Sequence, residues 1–61
     1  MDFSEMEKDE LFLTVERALK AKGVYDVRET WRQTAARIRD EDPDLAGMLI
    51  RAEERWDELQ N

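Results

Sequence analysis

The chain has 61 residues, of which 43% are charged, and its formal net charge at pH 7 is −6. It contains no cysteine and no histidine, which excludes disulfide frameworks, thiol chemistry and catalysis by an imidazole base. The length predicts one small domain over residues 1–61, and the presence of only two glycines and one proline predicts a few long elements.

The first predicted helix covers about residues 5–22. Ser4 and Glu7 have the spacing of a capping box, in which the two side chains each accept from a backbone N–H at the helix start. Gly23 follows the last turn, where a left-handed residue commonly ends a helix, and Val24 is placed to pack back on it. Apolar side chains recur between these signals with helical spacing: Leu11, Phe12, Val15, Ala18 and Leu19.

The second predicted helix covers about residues 27–40. Asp26 and Glu29 have the spacing of another capping box. The helix is expected to end before Asp42 and Pro43, because a residue that precedes proline is biased away from the helical conformation. Its apolar stripe consists of Val27, Trp31, Thr34, Ala35 and Ile38.

The third predicted helix covers about residues 43–59. Asp42 is a good N-cap and Pro43 suits the first helical position, so the two together are a strong start signal. Its apolar stripe consists of Leu45, Met48, Leu49, Ala52, Trp56 and Leu59.

Three amphipathic helices with short connections predict an all-α fold, a compact antiparallel three-helix bundle. Trp31 and Trp56 are expected in its core, because each lies at the centre of an apolar stripe. The alternative is a helical hairpin with a splayed third helix that completes its core only in an oligomer.

No catalytic site, metal site or cofactor is predicted. A serine or threonine nucleophile has no histidine to activate it, and the carboxylates lie on predicted solvent faces. The acids of residues 40–44 resemble the start of a calcium loop, but Leu45 and Arg51 stand where that loop requires glycine and glutamate. The sequence therefore predicts a protein that is not an enzyme.

Three apolar side chains fall outside the predicted core stripes and mark a candidate interaction surface. Met6 and Leu13 lie within about 20° of each other, opposite the core face of the first helix, and Ile50 points away from the stripe of the third. A core of this size without disulfides has little stability to spare. We therefore expect these residues to contact a second copy, in a homodimer, or a different protein.

Three arginines form a possible electrostatic ridge on the second helix. Arg28, Arg32 and Arg39 lie within about 40° of one another, as residues that contact phosphates often do. The chain is acidic, however, and the matching flank of the third helix carries Glu53 and Asp57, which favours ion pairs between the helices. Nucleic acid is therefore disfavoured as a direct partner.

The leading functional hypothesis is a small non-enzymatic module for protein–protein interaction, a cytoplasmic regulator or adaptor that binds another protein or itself. The start of the chain lacks a signal peptide pattern and no stretch has membrane length, so we expect a cytoplasmic protein without a membrane partner. The first alternative is an acidic mimic of nucleic acid that inhibits a DNA- or RNA-binding protein, which the acid-rich residues 40–61 suggest. The second is direct nucleic-acid binding through the arginine ridge.

Overall fold

Three α-helices make up the computed structural model, which describes residues 3–60. Helix α1 covers Lys8–Ala21, α2 covers Trp31–Ile38 and α3 covers Pro43–Gln60. No strand occurs within the described range. The predicted all-α three-helix fold is confirmed, and residues 1, 2 and 61 of the predicted domain lie outside the described residues.

Helix α3 packs against both of the other helices, and its packing against α2 is the more extensive. Leu49 and Ala52 of α3 are completely buried, as are Leu11 and Val15 of α1. Their spacing of three or four residues along each helix is what brings them to one face. The buried core consists of Phe3, Leu11, Val15, Leu19, Ala35, Ile38, Leu45, Ala46, Leu49 and Ala52.

The start of α1 differs from the prediction. The Met6 N–H donates to the Phe3 carbonyl at 3.1 Å, and the resulting turn buries the Phe3 side chain in the core. The helix begins only at Lys8, and its N-cap, Glu7, makes no side-chain capping bond. The predicted capping box of Ser4 and Glu7 at the helix start is therefore wrong, because residues 3–6 form a turn that is not part of the helix.

The end of α1 is as predicted. Gly23 has φ of 70°, the left-handed conformation that glycine adopts without strain. The Gly23 N–H donates to the Lys20 carbonyl at 3.1 Å, and the Val24 N–H donates to the Leu19 carbonyl at 3.0 Å. These two bonds define a Schellman motif, which satisfies carbonyls that the helix leaves unpaired.

The start of α2 lies four residues after the predicted start, at Trp31, which leaves a longer connection over residues 22–30. Thr30 and Gln33 form the capping box that the structure contains. Asp26 instead accepts from the Arg28 N–H at 2.9 Å. The predicted box of Asp26 and Glu29 is therefore wrong, because the Asp26 side chain stabilises a turn within the connection.

The start of α3 is as predicted. The Asp42 side chain accepts from the Leu45 N–H at 3.1 Å, as an N-cap does, and Pro43 is the first helical residue. The Asp42 N–H also donates to the Ile38 carbonyl at 2.8 Å. Asp42 therefore links the end of α2 directly to the start of α3, which sets the two helices side by side.

Candidate protein-binding surfaces

Three aromatic rings, one from each helix, meet at one end of the core. Trp31 of α2 and Trp56 of α3 contact edge to face, with ring centroids 5.5 Å apart and planes at 71°. Phe12 of α1 lies 6.3 Å from the first ring and 6.2 Å from the second. Both tryptophans are partly buried against the core, while Phe12 is 43% exposed.

The tryptophans therefore pack at the edge of the core and are only partly buried, so the prediction that they belong to the core itself is wrong. Trp31 is the first residue of α2, and Trp56 lies in the last turns of α3. Residues so near the ends of helices pack at the end of a bundle, where one side of the ring reaches solvent.

Leu13 extends the three rings into one apolar surface. It is 48% exposed, and with Phe12 and Trp56 it lines a shallow depression beside Lys8. A second depression, of about 270 Å³, lies between Phe12, Trp31 and Trp56, so the two share a border. We call Phe12, Leu13, Trp31 and Trp56 the aromatic surface.

Two glutamates line the aromatic surface, and both are held by arginines. Glu53 lies 2.9 Å from the Arg32 guanidinium and also accepts from the Arg32 backbone N–H at 3.1 Å. Glu29 lies 2.9 Å from the Arg37 guanidinium and accepts from the buried Thr34 hydroxyl at 2.9 Å. The hydrogen bond from Arg37 lowers the pKa of Glu29 below its ordinary value, so the carboxylate stays ionised.

A second concave surface runs between α2 and α3. Its floor is made of small residues, and its volume is about 430 Å³. Ile50, which is 39% exposed, stands at one end. We call this surface the α2–α3 groove; it is lined by Arg32, Ala35, Ala36, Arg39, Pro43, Ala46, Gly47 and Ile50.

The three predicted interaction residues do not lie on one surface. Met6 precedes α1 and is partly buried against the core, and its carbonyl accepts from Arg55 Nε and Nη2 at 3.2 and 3.0 Å. The expectation that it lies beside Leu13 on an exposed helix face is wrong, because α1 does not extend back to it. Leu13 belongs to the aromatic surface and Ile50 to the α2–α3 groove, and their role in binding stays a prediction.

The predicted arginine ridge is also divided. Arg28 precedes α2 and pairs with Asp26, Nε to Oδ1 at 3.2 Å, so it does not share a helix face with the other two. Arg32 and Arg39 both line the α2–α3 groove. The interhelical ion pair expected from the flank of α3 is present between Arg32 and Glu53.

Sequence reasoning missed the aromatic surface because it placed every apolar stripe residue in the core. One available signal was the spacing of Thr30 and Gln33, which also fits a capping box and would have put Trp31 at a helix start. An aromatic residue in the first turn of a short helix has fewer neighbours to cover it than one in the middle.

Comparisons with protein-family models, with curated proteins and with solved structures found no match. In the part of the chain that the structure describes, no three acidic, histidine or cysteine residues are grouped so that they could hold a metal ion. Within that same part, no helix combines the length and the apolar character needed to cross a membrane.

Proposed function

We propose that this protein is a non-enzymatic interaction module, a cytoplasmic regulator or adaptor that acts by binding another protein through its aromatic surface. The observation that supports this most directly is the contiguity of four large apolar side chains, one of them 48% exposed and another 43% exposed. Single exposed apolar residues are ordinary on protein surfaces, whereas a contiguous patch in a small domain is a feature of binding sites.

The residue types support a protein partner. Tryptophan is enriched among the residues that dominate binding energy at protein interfaces, and phenylalanine is enriched in the buried core of an interface. The rings of Trp31 and Trp56 are already fixed by contact with each other, so little side-chain freedom is lost when a partner covers them. The depression between them can accept one apolar side chain of the partner.

The net charge of the chain favours a basic partner. At the two depressions themselves the acids have basic neighbours: Glu29 and Glu53 are each paired with an arginine, and Asp9 lines the same depression as Lys8. The net charge of −6 adds a long-range attraction for a basic protein, which increases the rate of encounter. We infer that the partner offers an apolar side chain flanked by lysine or arginine.

The test uses immobilised protein in an extract of the source organism, with Leu13→Glu as the disruptive variant and Ile50→Glu as the matched control. Both substitutions add one charge at an exposed aliphatic residue on a helix. We expect at least one protein to be captured by the parent and by Ile50→Glu, and its recovery to fall about tenfold or more with Leu13→Glu. Adding that purified partner should shift the tryptophan fluorescence, because both tryptophans belong to the aromatic surface.

The proposal fails if every captured protein is retained equally by Leu13→Glu while far-UV circular dichroism shows both variants folded. It also fails if the captured protein leaves the tryptophan emission unchanged. The acidic-mimic alternative predicts that capture weakens steeply as salt is raised, whereas burial of aromatic side chains tolerates salt. Arg32 and Arg55, which pair with Glu53 and Glu58, reduce the acidic character that a mimic would need.

A further inference from the structure

We propose that the α2–α3 groove binds a second copy of this chain, with the two α3 helices antiparallel and each Ile50 seated in the groove of the other copy. This surface is separate from the aromatic surface, and the proposal does not depend on a partner binding there. The salt bridge between Arg32 and Glu53 marks the border, because Arg32 lines the groove and Glu53 lines the aromatic surface.

The groove has room for a side chain from another helix. A Cβ atom added at Gly47 would have only the flexible Arg51 guanidinium within 4 Å, at 3.5 Å, so the floor is open there. Small residues let two helix backbones approach closely, to about 8 Å between axes. Ile50 is the large apolar residue at the edge of the groove, and it is 39% exposed in the single chain.

The charges along α3 support a second copy of the chain as the molecule that binds in the groove. If Ile50 of one copy lies over Gly47 of the other, then Glu54, one turn further on, lies over Pro43, one turn before Gly47. Arg39 lines the groove at Pro43 and makes no ion pair with any described residue. Each copy therefore supplies an acid to the free arginine of the other, and the two-fold axis repeats the contact.

One turn further along α3, Asp57 lies on the same side of the helix as Ile50 and Glu54, because Ile50 and Glu54 are four residues apart and Glu54 and Asp57 are three apart. Both acids are exposed and make no ion pair within residues 3–60. Along the groove, Arg39 thus lies beside the start of α3, and the acids Glu54 and Asp57 lie towards its end. Such a face complements its own antiparallel copy and would repel a parallel one.

The experiment is sedimentation equilibrium of the full chain from about 10 to 500 µM, a range that covers weak self-association. The parent should shift from its monomer mass of 7.3 kDa towards twice that value as concentration rises. Ile50→Glu should raise the dissociation constant about tenfold or more, and Arg39→Glu or Glu54→Arg alone should raise it several-fold. The double variant Arg39→Glu/Glu54→Arg should return to within about twofold of the parent, because the charges are exchanged and not lost.

The matched controls are Leu13→Glu, which adds the same charge on the aromatic surface, and Arg17→Glu, which reverses an exposed arginine on α1. Both should leave the dissociation constant unchanged. A monomer throughout the concentration range overturns the proposal, and so does a dimer that Leu13→Glu abolishes and Ile50→Glu does not, because the second copy would then occupy the aromatic surface. Failure of the charge exchange to restore a dimer weakened by both single variants would overturn the antiparallel arrangement.

Discussion

The aromatic surface and the α2–α3 groove are both apolar and both use α3, but they are built from opposite kinds of side chain. In the first, three large rings from three helices contact one another, with centroids 5.5 to 6.3 Å apart. In the second, alanine and glycine let two helices lie close together and leave an open floor. The rings therefore join the helices, whereas the small residues mainly provide space.

This difference has a consequence for mutagenesis. Removing a ring should cost stability, because each aromatic contact contributes about 0.5–1.5 kcal/mol beyond the area that it buries. In the groove we expect stability to fall when a buried small side chain is enlarged. A small residue contributes little stability by its own burial, but it allows the two helices to approach closely. Substitutions in the two surfaces and at their borders test this contrast.

Replacing Trp56 by alanine should have the largest effect. The substitution removes the ring contacts with Trp31 and Phe12 and part of the cover of the core. We expect the free energy of unfolding to fall by about 2–4 kcal/mol, less than for a completely buried ring. Urea denaturation followed by circular dichroism measures the change. Trp56→Phe, which keeps a ring, should lose clearly less, and equal losses for the two variants would contradict the role given to ring contacts.

Replacing Ala46 by leucine tests how closely α2 and α3 pack at the α2–α3 groove. Ala46 is 4% exposed on the face of α3 that packs towards α2, so a larger side chain must push the two helices apart. We expect a loss of about 1–3 kcal/mol in the free energy of unfolding. Ala36→Leu is the matched control, since Ala36 lines the same groove but is exposed, and it should change stability by less than about 0.5 kcal/mol. A neutral Ala46→Leu would show that the helices are not closely packed there.

The two glycines should respond to alanine with opposite signs. Gly23 has φ of 70°, and although nothing lies within 4 Å of its added Cβ, the conformation itself costs about 1 kcal/mol for alanine. Gly47 lies inside α3, where alanine is favoured by about 0.5–1 kcal/mol and its Cβ makes an ordinary contact with Arg51. Thermal melts at low protein concentration separate the two effects. Stabilisation by Gly23→Ala would mean that α1 continues beyond its observed end.

The smallest effect concerns pH and the Glu29 carboxylate at the border of the aromatic surface. Arg37 and Thr34 hold its pKa below the ordinary value of 4.5, so its contribution to stability is complete above that value and is lost as the pH falls through the lowered pKa. Glu29→Gln should therefore make the free energy of unfolding less dependent on pH in the acid range. Arg37→Met should have the same result, because it removes the other partner. An unchanged acid dependence in both variants would show that the pair does not distinguish the folded from the unfolded chain.

Several features of the fold could be predicted from the sequence because they depend on neighbours along the chain. The Schellman motif at Gly23 and the N-cap at Asp42 with Pro43 after it require only local residue types, and both were predicted correctly. The burial of Leu11, Val15 and Leu49 follows in the same way from helical spacing. The pairing of Arg32 with Glu53 was predictable because the two residues lie on flanks that an antiparallel packing brings together.

The start of α2 was not predictable from local spacing, since two capping boxes were possible within five residues. The choice depends on contacts with the rest of the chain: Arg37 donates to the Val24 carbonyl at 2.6 Å and pairs with Glu29, which holds the connection against the side of α2. With Glu29 bound in this way, Thr30 and Gln33 cap the helix. The four-residue shift removes Arg28 from the predicted ridge.

Residue types close together along the chain are enough to predict three amphipathic helices, the end of α1 and the start of α3, because hydrogen bonds between near neighbours decide those points. Which apolar residues reach solvent depends on how the three helices pack. Phe12 and Trp56 belong to predicted core stripes, yet the rings pack at the end of the bundle, where the three helices do not cover them fully. Met6 was predicted to be exposed, yet the turn that buries Phe3 draws it against the core. Periodicity defines one face of one helix, and burial depends on where the other two helices lie.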